Sequence, residues 1–435
     1  MVGMPHRLQI TSASTHPALL DLPWQVPLED WPQDRLAALP RGLSRHVVRF
    51  VRLTGTVIAV KEIGEDLARR EYGLLRLLRR IGLPAVEPVG VVTGRAAPDG
   101  TPLDPALITR HLQFSLPYRA LFSQILRADT GTRLVDALAV LLVRLHLAGF
   151  YWGDCSLANT LFRRDGDKIQ AYLVDAETSE IHPSLSDGQR AFDLEILVEN
   201  VGFGLADLGA MQGRTDAFED AVEAAETVRS RYESVWEELH LVPELSPDDR
   251  HAVRARIRHL NDLGFAVDEI ELEPAGPDGG SVRLRVAVTN RRFHARELER
   301  LTGIVALEGQ ARLLLNDLRE YRAWLEYHGK RFVGEEEAAA LWLVDVLQPS
   351  LAVLVPAIGE GRDPIQAYCD VLEQKWILSE LAAHDVGLDA AMDAYLSLGA
   401  PAPEDDRGPT GNSLALDIDW STTLDRTDPA AVTES

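Results

Sequence analysis

Lysine is nearly missing from this chain. Of its 44 basic residues four are lysine, at positions 61, 168, 330 and 375, and the rest are arginine. A lysine inside an apolar strand therefore stands out. Positive charge as a whole is also short, with 67 acidic residues and a formal net charge of −23. That balance argues against a general nucleic-acid binder, because a phosphate backbone demands a basic surface. It also argues against an anionic membrane surface as partner. Cysteine is scarce: Cys155 and Cys369 are the whole supply. This excludes a disulfide scaffold and fits a reducing, cytoplasmic setting. No Cys/His cluster has zinc-site spacing. Uninterrupted apolar runs of the ~20 residues that span a bilayer are lacking too. The two most apolar stretches, 134–152 and 338–359, are broken by Asp136, Arg144 and His146, and by Asp345, Gln348 and two prolines. Both read as buried core helices, and no transmembrane segment is expected. Residues Met1–Leu20 have no apolar core of signal-peptide length.

What remains is an ordinary globular composition, 46% hydrophobic and 26% charged over 435 residues, enough for two to four domains. Residues 1–40 read as an irregular lead-in rich in Pro and Trp. His46–Leu53 and Thr56–Glu62 read as a hairpin, followed by a helix over about 66–80 that Gly82 and Pro84 close. Strands are expected over 86–93 and 106–111. Beyond them come a helix over 134–148, a hairpin over 160–175 with its turn at Asp165-Gly166, and helices over 189–202 and 216–239. A Pro-rich junction at 243–249 leads to a helix over 249–263 and a strand pair (267–272, 281–289). Helices follow near 294–302, 311–328, 335–348 and 364–384. The tail, 401–435, with eight acidic and two basic residues, is expected to be disordered.

Four features carry chemistry, and their order matters. In Val57-Ile-Ala-Val-Lys61, strand alternation puts Val57, Ala59 and Lys61 on one face. A lysine there needs a partner or a ligand, or it sits on an edge with its head in water. Glu71 lies on the apolar stripe of the next helix, taken as Leu67, Leu74, Leu75 and Leu78. An inward carboxylate asks for a cation, and Lys61 is the nearest in sequence; a surface arginine such as Arg70 is the alternative. In Trp152-Gly-Asp-Cys-Ser-Leu-Ala-Asn-Thr-Leu-Phe162 a loop displays Asp154 and Asn159 five residues apart. The carboxylate can accept a hydroxyl proton and the amide oxygen can ligate a metal that neutralises phosphate charge; Asx turns or caps would use the same side chains. Asp175 ends an apolar strand, where a carboxylate can bind such a metal or simply terminate the strand, and Glu177 is an accessory ligand candidate. In the C-terminal half, the basic-aromatic Asn290–His294 reads as a solvated turn, with an acceptor or partner anion site as the alternative, and Tyr321, Trp324, Tyr327 and His328 read as core.

Lys, Glu, Asp-x₄-Asn and Asp in this order are the parts of the protein-kinase-like fold. The stretch from about Gly42 to Leu208 resembles its atypical branch, most of all the bacterial lipopolysaccharide (Kdo-type) kinases and aminoglycoside phosphotransferases. The Trp152–Phe162 loop is similar to their His-Gly-Asp-x₄-Asn loop, Arg70-Glu71 to their glutamate helix, and Arg190-Ala-Phe-Asp193 to the helix whose aspartate braces the catalytic loop. The remainder resembles a bacterial family of unassigned function. The resemblance implies an α+β, bilobal fold: a β-rich N-lobe over 41–111, a helical C-lobe over 112–242, and a mainly helical C-terminal domain with a small β-hairpin over 243–400. It implies ATP and Mg²⁺ as cofactors. Lys61 would hold the α- and β-phosphates, positioned by Glu71. Ala59 would line the adenine pocket, and His111, Leu112 and Gln113 would form the hinge. Asp154 would be the catalytic base, with Asn159 and Asp175 as magnesium ligands.

Three departures stand out. Trp152 replaces the usual His. Asp175-Ala-Glu replaces Asp-Phe-Gly. No Gly-x-Gly-x-x-Gly loop exists, leaving Arg41–Arg45, with Gly42, Ser44 and Arg45, to cover the phosphates. The expected function is transfer of the γ-phosphate of ATP to a hydroxyl of a small-molecule, sugar or lipid-sugar acceptor. The alternative is a nucleotide-binding pseudokinase serving as a regulatory or interaction module, and a third is AMP transfer or protein phosphorylation. Any protein partner is expected to use the C-terminal domain.

Overall fold

The computed structural model describes residues 7–12, 17–37, 46–53, 56–118, 121, 128–214, 217–241, 244–245, 251–252, 254–256, 267–274, 282–288, 293–359, 362–382 and 384–401. The candidate phosphate-covering residues Gly42, Ser44 and Arg45, most of the helix expected over 249–263, residues 290–292 and almost all of the tail lie outside the described residues.

Alternating apolar residues build an antiparallel five-stranded sheet from β1 (Gln9–Ser12), β2 (Val48–Leu53), β3 (Thr56–Glu62), β4 (Glu87–Thr93) and β5 (Ala106–Arg110), in the order β1-β4-β5-β3-β2. The β2–β3 register sets Phe50 opposite Ala59 and Val48 opposite Lys61. The outer face carries Ile58, Val60, Val92 and Ile108 under Trp24 and Trp31. The inner face packs on α1 (Glu65–Arg80) through Leu75, Leu78, Val91 and Leu107.

The N-terminal segment corrects the expectation of an irregular lead-in. Its residues 9–12 are a sheet strand paired with β4, and Trp24 and Trp31 are buried at 2% exposure each. The fully buried Arg95 ties this segment down: its guanidinium donates to the carbonyls of Trp24, Val26 and Asp104 and pairs with Glu62 at 2.7 Å. The inner stripe of α1 also differs from the expected one. It runs through Ala68, Glu71, Tyr72, Leu74, Leu75 and Leu78, while Leu67 is exposed.

Below the sheet, β6 (Ser115–Pro117) leads to α2 (Ala128–Leu147), β7 (Phe150–Tyr151), and the hairpin β8 (Thr160–Asp165) and β9 (Lys168–Leu173). Then come β10 (Glu180–Ile181), α3 (Asp187–Met211) and α4 (Ala217–His240). Gly149, at φ 74°, makes the turn from α2, and a Cβ there would meet the His182 carbonyl oxygen at 2.1 Å. The α2 stretch is core, as expected, with Leu134, Leu138, Leu142 and Leu145 at 0% exposure. The two halves are stitched where Val86 N–H donates to the Leu173 carbonyl and Leu173 N–H to the Pro84 carbonyl. One edge of the cleft is therefore fixed.

A second apolar core belongs to the C-terminal half. Short β11 (Glu244–Leu245) and antiparallel β12 (Val267–Pro274) and β13 (Val282–Val288) precede α5 (Phe293–Thr302) and α6 (Glu308–Gly329). Helix α7 (Glu335–Trp342) continues through a π-turn into α8 (Gln348–Ile358), followed by α9 (Pro364–Ala382) and α10 (Gly387–Ser397). Two expectations are corrected here. Trp324 and Tyr327 are exposed at 54% and 79%, not core. The run Glu335–Ile358, expected to be buried, is long and apolar enough by length and composition to cross a membrane and is covered on one side only. It is a half-covered helix whose outer side shows Val344, Val353 and Val355.

Candidate active site

Strand β3 aims Lys61 into the space between the two lobes, and α1 brings Glu71 to meet it. The ammonium lies 2.8 Å from Glu71 Oε2 and 3.0 Å from Asp175 Oδ2, with Glu177 Oε2 at 3.8 Å. Glu71 is 1% exposed, and its other oxygen accepts from the Ala176 N–H at 3.4 Å. One cation thus faces three carboxylates. Burial pushes the Glu71 carboxyl up to about 7, Asp175 adds to the rise, and Lys61 opposes it. Burial pulls Lys61 down, but Glu71 and Asp175 outweigh it and hold the amine above its usual value, so it stays an ammonium.

The loop between β7 and β8 holds the other pair. The Asn159 amide donates to the Asp154 carboxylate at 3.0 Å and to the Asp154 carbonyl at 3.1 Å. Strand β9 stops at Leu173, so Asp175 stands two residues past it and does not end it as expected; Asn159 is tied to this connecting segment, since its carbonyl accepts from the Val174 N–H at 3.0 Å. Lys61, Glu71, Asp154, Asn159 and Asp175 all line one cavity of about 750 Å³. Ala59, Val86, Leu107, Leu112, Leu116, Leu161 and Val174 give it an apolar side. His111 and Leu112 line it as well, whereas Gln113 is not among the lining residues. Burial holds the His111 imidazole down to about 4, so it is neutral at ordinary pH.

Behind the loop sits a bracing network only partly visible in sequence. Asp193, fully buried on α3, accepts from the backbone N–H groups of Trp152 and Gly153 at 2.8 Å each and from Cys155 Sγ at 3.1 Å. His146 Nε2 lies 3.0 Å from the same carboxylate, and its Nδ1 lies 2.6 Å from the Tyr232 hydroxyl. Trp152, in the place where a His is usual, donates its indole N–H to the Asp175 carbonyl at 3.0 Å. Its own carbonyl accepts from the hydroxyls of Thr178 and Ser179. The tryptophan therefore joins the loop to the segment after β9 that bears Asp175. Cys155 is fully buried, and burial followed by Asp193 raises its thiol well above the usual range, so it is a packed donor and not a reactive thiolate. Sequence reasoning missed His46, whose Nε2 lies 2.9 Å from Glu177 Oε2. It also missed Asn200, Phe203 and Asp207, which line the cavity from α3; no spacing in the sequence marks them.

Residues 52–209 match the family model described as lipopolysaccharide kinase (Kdo/WaaP) family. The match contains all five convergent polar residues and implies a phosphotransferase of kinase type. Residues 234–398 match a model described as a domain of unknown function (DUF4032). No curated protein matches the chain. Among solved structures, WaaP in complex with acyl carrier protein aligns at 18% identity over 59% of this chain and 99% of that one, with a TM-score of 0.32. The BubR1 kinase domain aligns at 11% identity over 35% of this chain and 49% of its own, with a TM-score of 0.26.

Proposed function

We propose, from a chain whose residues 52–209 match the lipopolysaccharide kinase family, that the cleft transfers the γ-phosphate of ATP to a hydroxyl of a sugar, lipid-sugar or other small acceptor. The observation that carries this reading is the Lys61 ammonium 2.8 Å from Glu71 and 3.0 Å from Asp175, in the cavity that Asp154 and Asn159 also line.

Each residue has a job that its surroundings support. The apolar side, with Ala59 leaving room, takes the adenine, and the backbone at His111–Leu112 offers it hydrogen bonds. Lys61, held by Glu71, pairs with phosphate oxygens. Asp154, oriented by the Asn159 amide, accepts the acceptor's proton. Among the described residues no group of three or more His, Cys, Asp or Glu side chains is placed to hold a metal ion unaided. That suits Mg²⁺, which usually takes one or two carboxylates and completes its shell with water and phosphate. Asp175 and Asn159 supply hard oxygen donors for it, and the excess of carboxylate over ammonium around Lys61 leaves a negative site for a cation. When bound there, Mg²⁺ neutralises charge on the β- and γ-phosphates. ATP supply and the two buried free thiols fit a cytoplasmic setting.

The test is magnesium-dependent ATP turnover by the full chain with sugar and lipid-sugar acceptors, alongside Asp154→Asn. Turnover that Asp154→Asn abolishes, with nucleotide binding retained, supports transfer. Nucleotide binding with no turnover in either form supports the regulatory-module reading, which the missing glycine loop favours. No nucleotide binding at all defeats both.

A further inference from the structure

The β8–β9 hairpin has two ends. At the open end, Asn159 directly precedes β8 and Asp175 lies two residues beyond β9. The closed end, Asp165–Lys168, is seated in the C-terminal half of the chain. Asp165 Oδ1 accepts from the Gln310 backbone N–H at 2.9 Å. It thereby caps the first turn of α6, whose own N-cap residue Leu307 makes no side-chain capping bond. Gln366, on α9, clasps the main chain of Gly166 in both directions: it accepts from the N–H at 2.9 Å and donates to the carbonyl at 2.7 Å. Arg163 pairs with Asp363 at 3.0 Å, Arg164 with Asp370, and Arg312 with Asp167 at 2.8 Å.

The fit is close as well as polar. A Cβ on Gly309 would meet the Asp165 carbonyl oxygen at 2.3 Å, so α6 and the turn touch backbone to backbone. Gln310, Gln366 and Asp370 are 1%, 7% and 5% exposed. Burying amides and a carboxylate is costly unless each is satisfied, and a satisfied polar network fixes one geometry where an apolar contact would tolerate sliding. A two-stranded ladder of six-residue strands is about 20 Å long. The register from Asp165↔Lys168 to Thr160↔Leu173 is unbroken, so the grip at the tip acts on the direction of the open end together with the bonds of Leu173 to Pro84 and Val86.

We propose that the C-terminal domain, matched as one of unknown function, is a positioning element for the phosphotransfer site: Gln366, Gln310 and Gly309 grip the tip of the β8–β9 hairpin and so set where Asn159 and Asp175 stand at its base. Only the kinetic part of the test rests on the function proposed above.

The experiment is hydrogen exchange on the full chain, unmodified and as Gln366→Ala, Gly309→Ala and Arg312→Ala. Gly309→Ala wedges a methyl against the turn while favouring the helix it sits in, so its effect does not arise from melting α6. Arg312→Ala removes a half-exposed ion pair and keeps the comparison available if Gln366→Ala does not fold. Amides over 159–161 and 172–176 are expected to exchange about tenfold faster in Gln366→Ala and Gly309→Ala, the size of one lost buried hydrogen bond, with a smaller change in the same direction in Arg312→Ala. Faster exchange confined to 164–168 and the facing helices, with the hairpin base as in the unmodified chain, overturns the proposal. In turnover, the variants are expected to need more Mg²⁺ for half-maximal rate while binding metal-free nucleotide as before. A purely structural role would lower the amount of folded protein and leave the metal requirement alone. If the unmodified chain turns nothing over, the function proposed above fails, and the exchange result still decides the positioning role.

Discussion

The indole N–H of Trp152 donates to the main-chain carbonyl of Asp175 at 3.0 Å. This bond joins the loop that bears Asp154 to the segment beyond β9 that bears Asp175, with Trp152 itself fully buried. Trp152→Phe keeps most of the packing and removes the donor. A carbonyl left unpaired in the interior costs about 1–3 kcal/mol, and the variant is expected to lose that much stability in chemical denaturation. Trp152→Ala also opens a cavity and is expected to lose about 3–5 kcal/mol. A Trp152→Phe chain as stable as the parent would mean that water or another donor reaches the Asp175 carbonyl.

Lys61 is the cation against Glu71, Asp175 and Glu177. Replacing it with methionine keeps the stem and removes the charge that would face the phosphates. Loss of one such group costs about 10²–10³-fold in rate where it stabilises developing charge, and that drop in kcat/KM is expected of Lys61→Met. Glu71→Gln leaves the ammonium in place but loosens its aim, and a smaller loss is expected. Equal rates for Lys61→Met and the unmodified chain would remove Lys61 from the chemistry.

The parts that the sequence displayed were those set by local rules. Alternation along β3 put Lys61 and Ala59 on one face, and helix periodicity turned Glu71 inward even though the stripe was misjudged at Leu67. Asp154, Asn159 and Asp175 lie at fixed short offsets from a helix end and a strand end. Distant pairings were illegible. Strand β1 pairs with β4 about 80 residues later, and His46 meets Glu177 across 131 positions. The aromatic residues of α6 misled because helical spacing says that residues share a face, not that the face is covered; Trp324 and Tyr327 are exposed. The seating of the hairpin turn was equally hidden. Asp165-Gly166 reads as an ordinary turn until Gln310 and Gln366, 145 and 200 residues away, come up against it.

Asp193 is the hub behind the loop, accepting from Trp152 N–H, Gly153 N–H and Cys155 Sγ while His146 lies at 3.0 Å. Asp193→Asn keeps the shape but exchanges an acceptor oxygen for a donor that faces donors. Hydrogen bonds to a charged group contribute about 1.5–3 kcal/mol each, so a loss of about 3 kcal/mol is expected in chemical denaturation, with turnover falling further as the loop loosens. Cys155→Ser retains a donor of similar size and is expected to stay within about 1 kcal/mol of the parent. A Cys155→Ser variant as damaged as Asp193→Asn would show that packing, and not the bond to Asp193, governs that corner.

Acid sensitivity follows from the buried imidazoles. Burial holds His111 down to about 4, and His146 is also below its usual value because burial outweighs the pull of Asp193. In the unfolded chain both take up a proton near pH ~6.5. Between that value and the folded one the unfolded state binds more protons, so these groups make stability rise with pH across that window and leave it level above. Glu71 works the other way: raised to about 7, it binds its proton more readily when folded, and its contribution falls as pH rises from its unfolded value to about 7. Comparing the unmodified chain with His111→Gln isolates one imidazole and cancels the rest. Denaturation at about pH 5 and about pH 7 is expected to show the unmodified chain losing more stability on acidification than His111→Gln. Equal losses would show that His111, edge-on to the Phe50 ring at 5.5 Å, takes up its proton as readily in the folded protein as in the unfolded one.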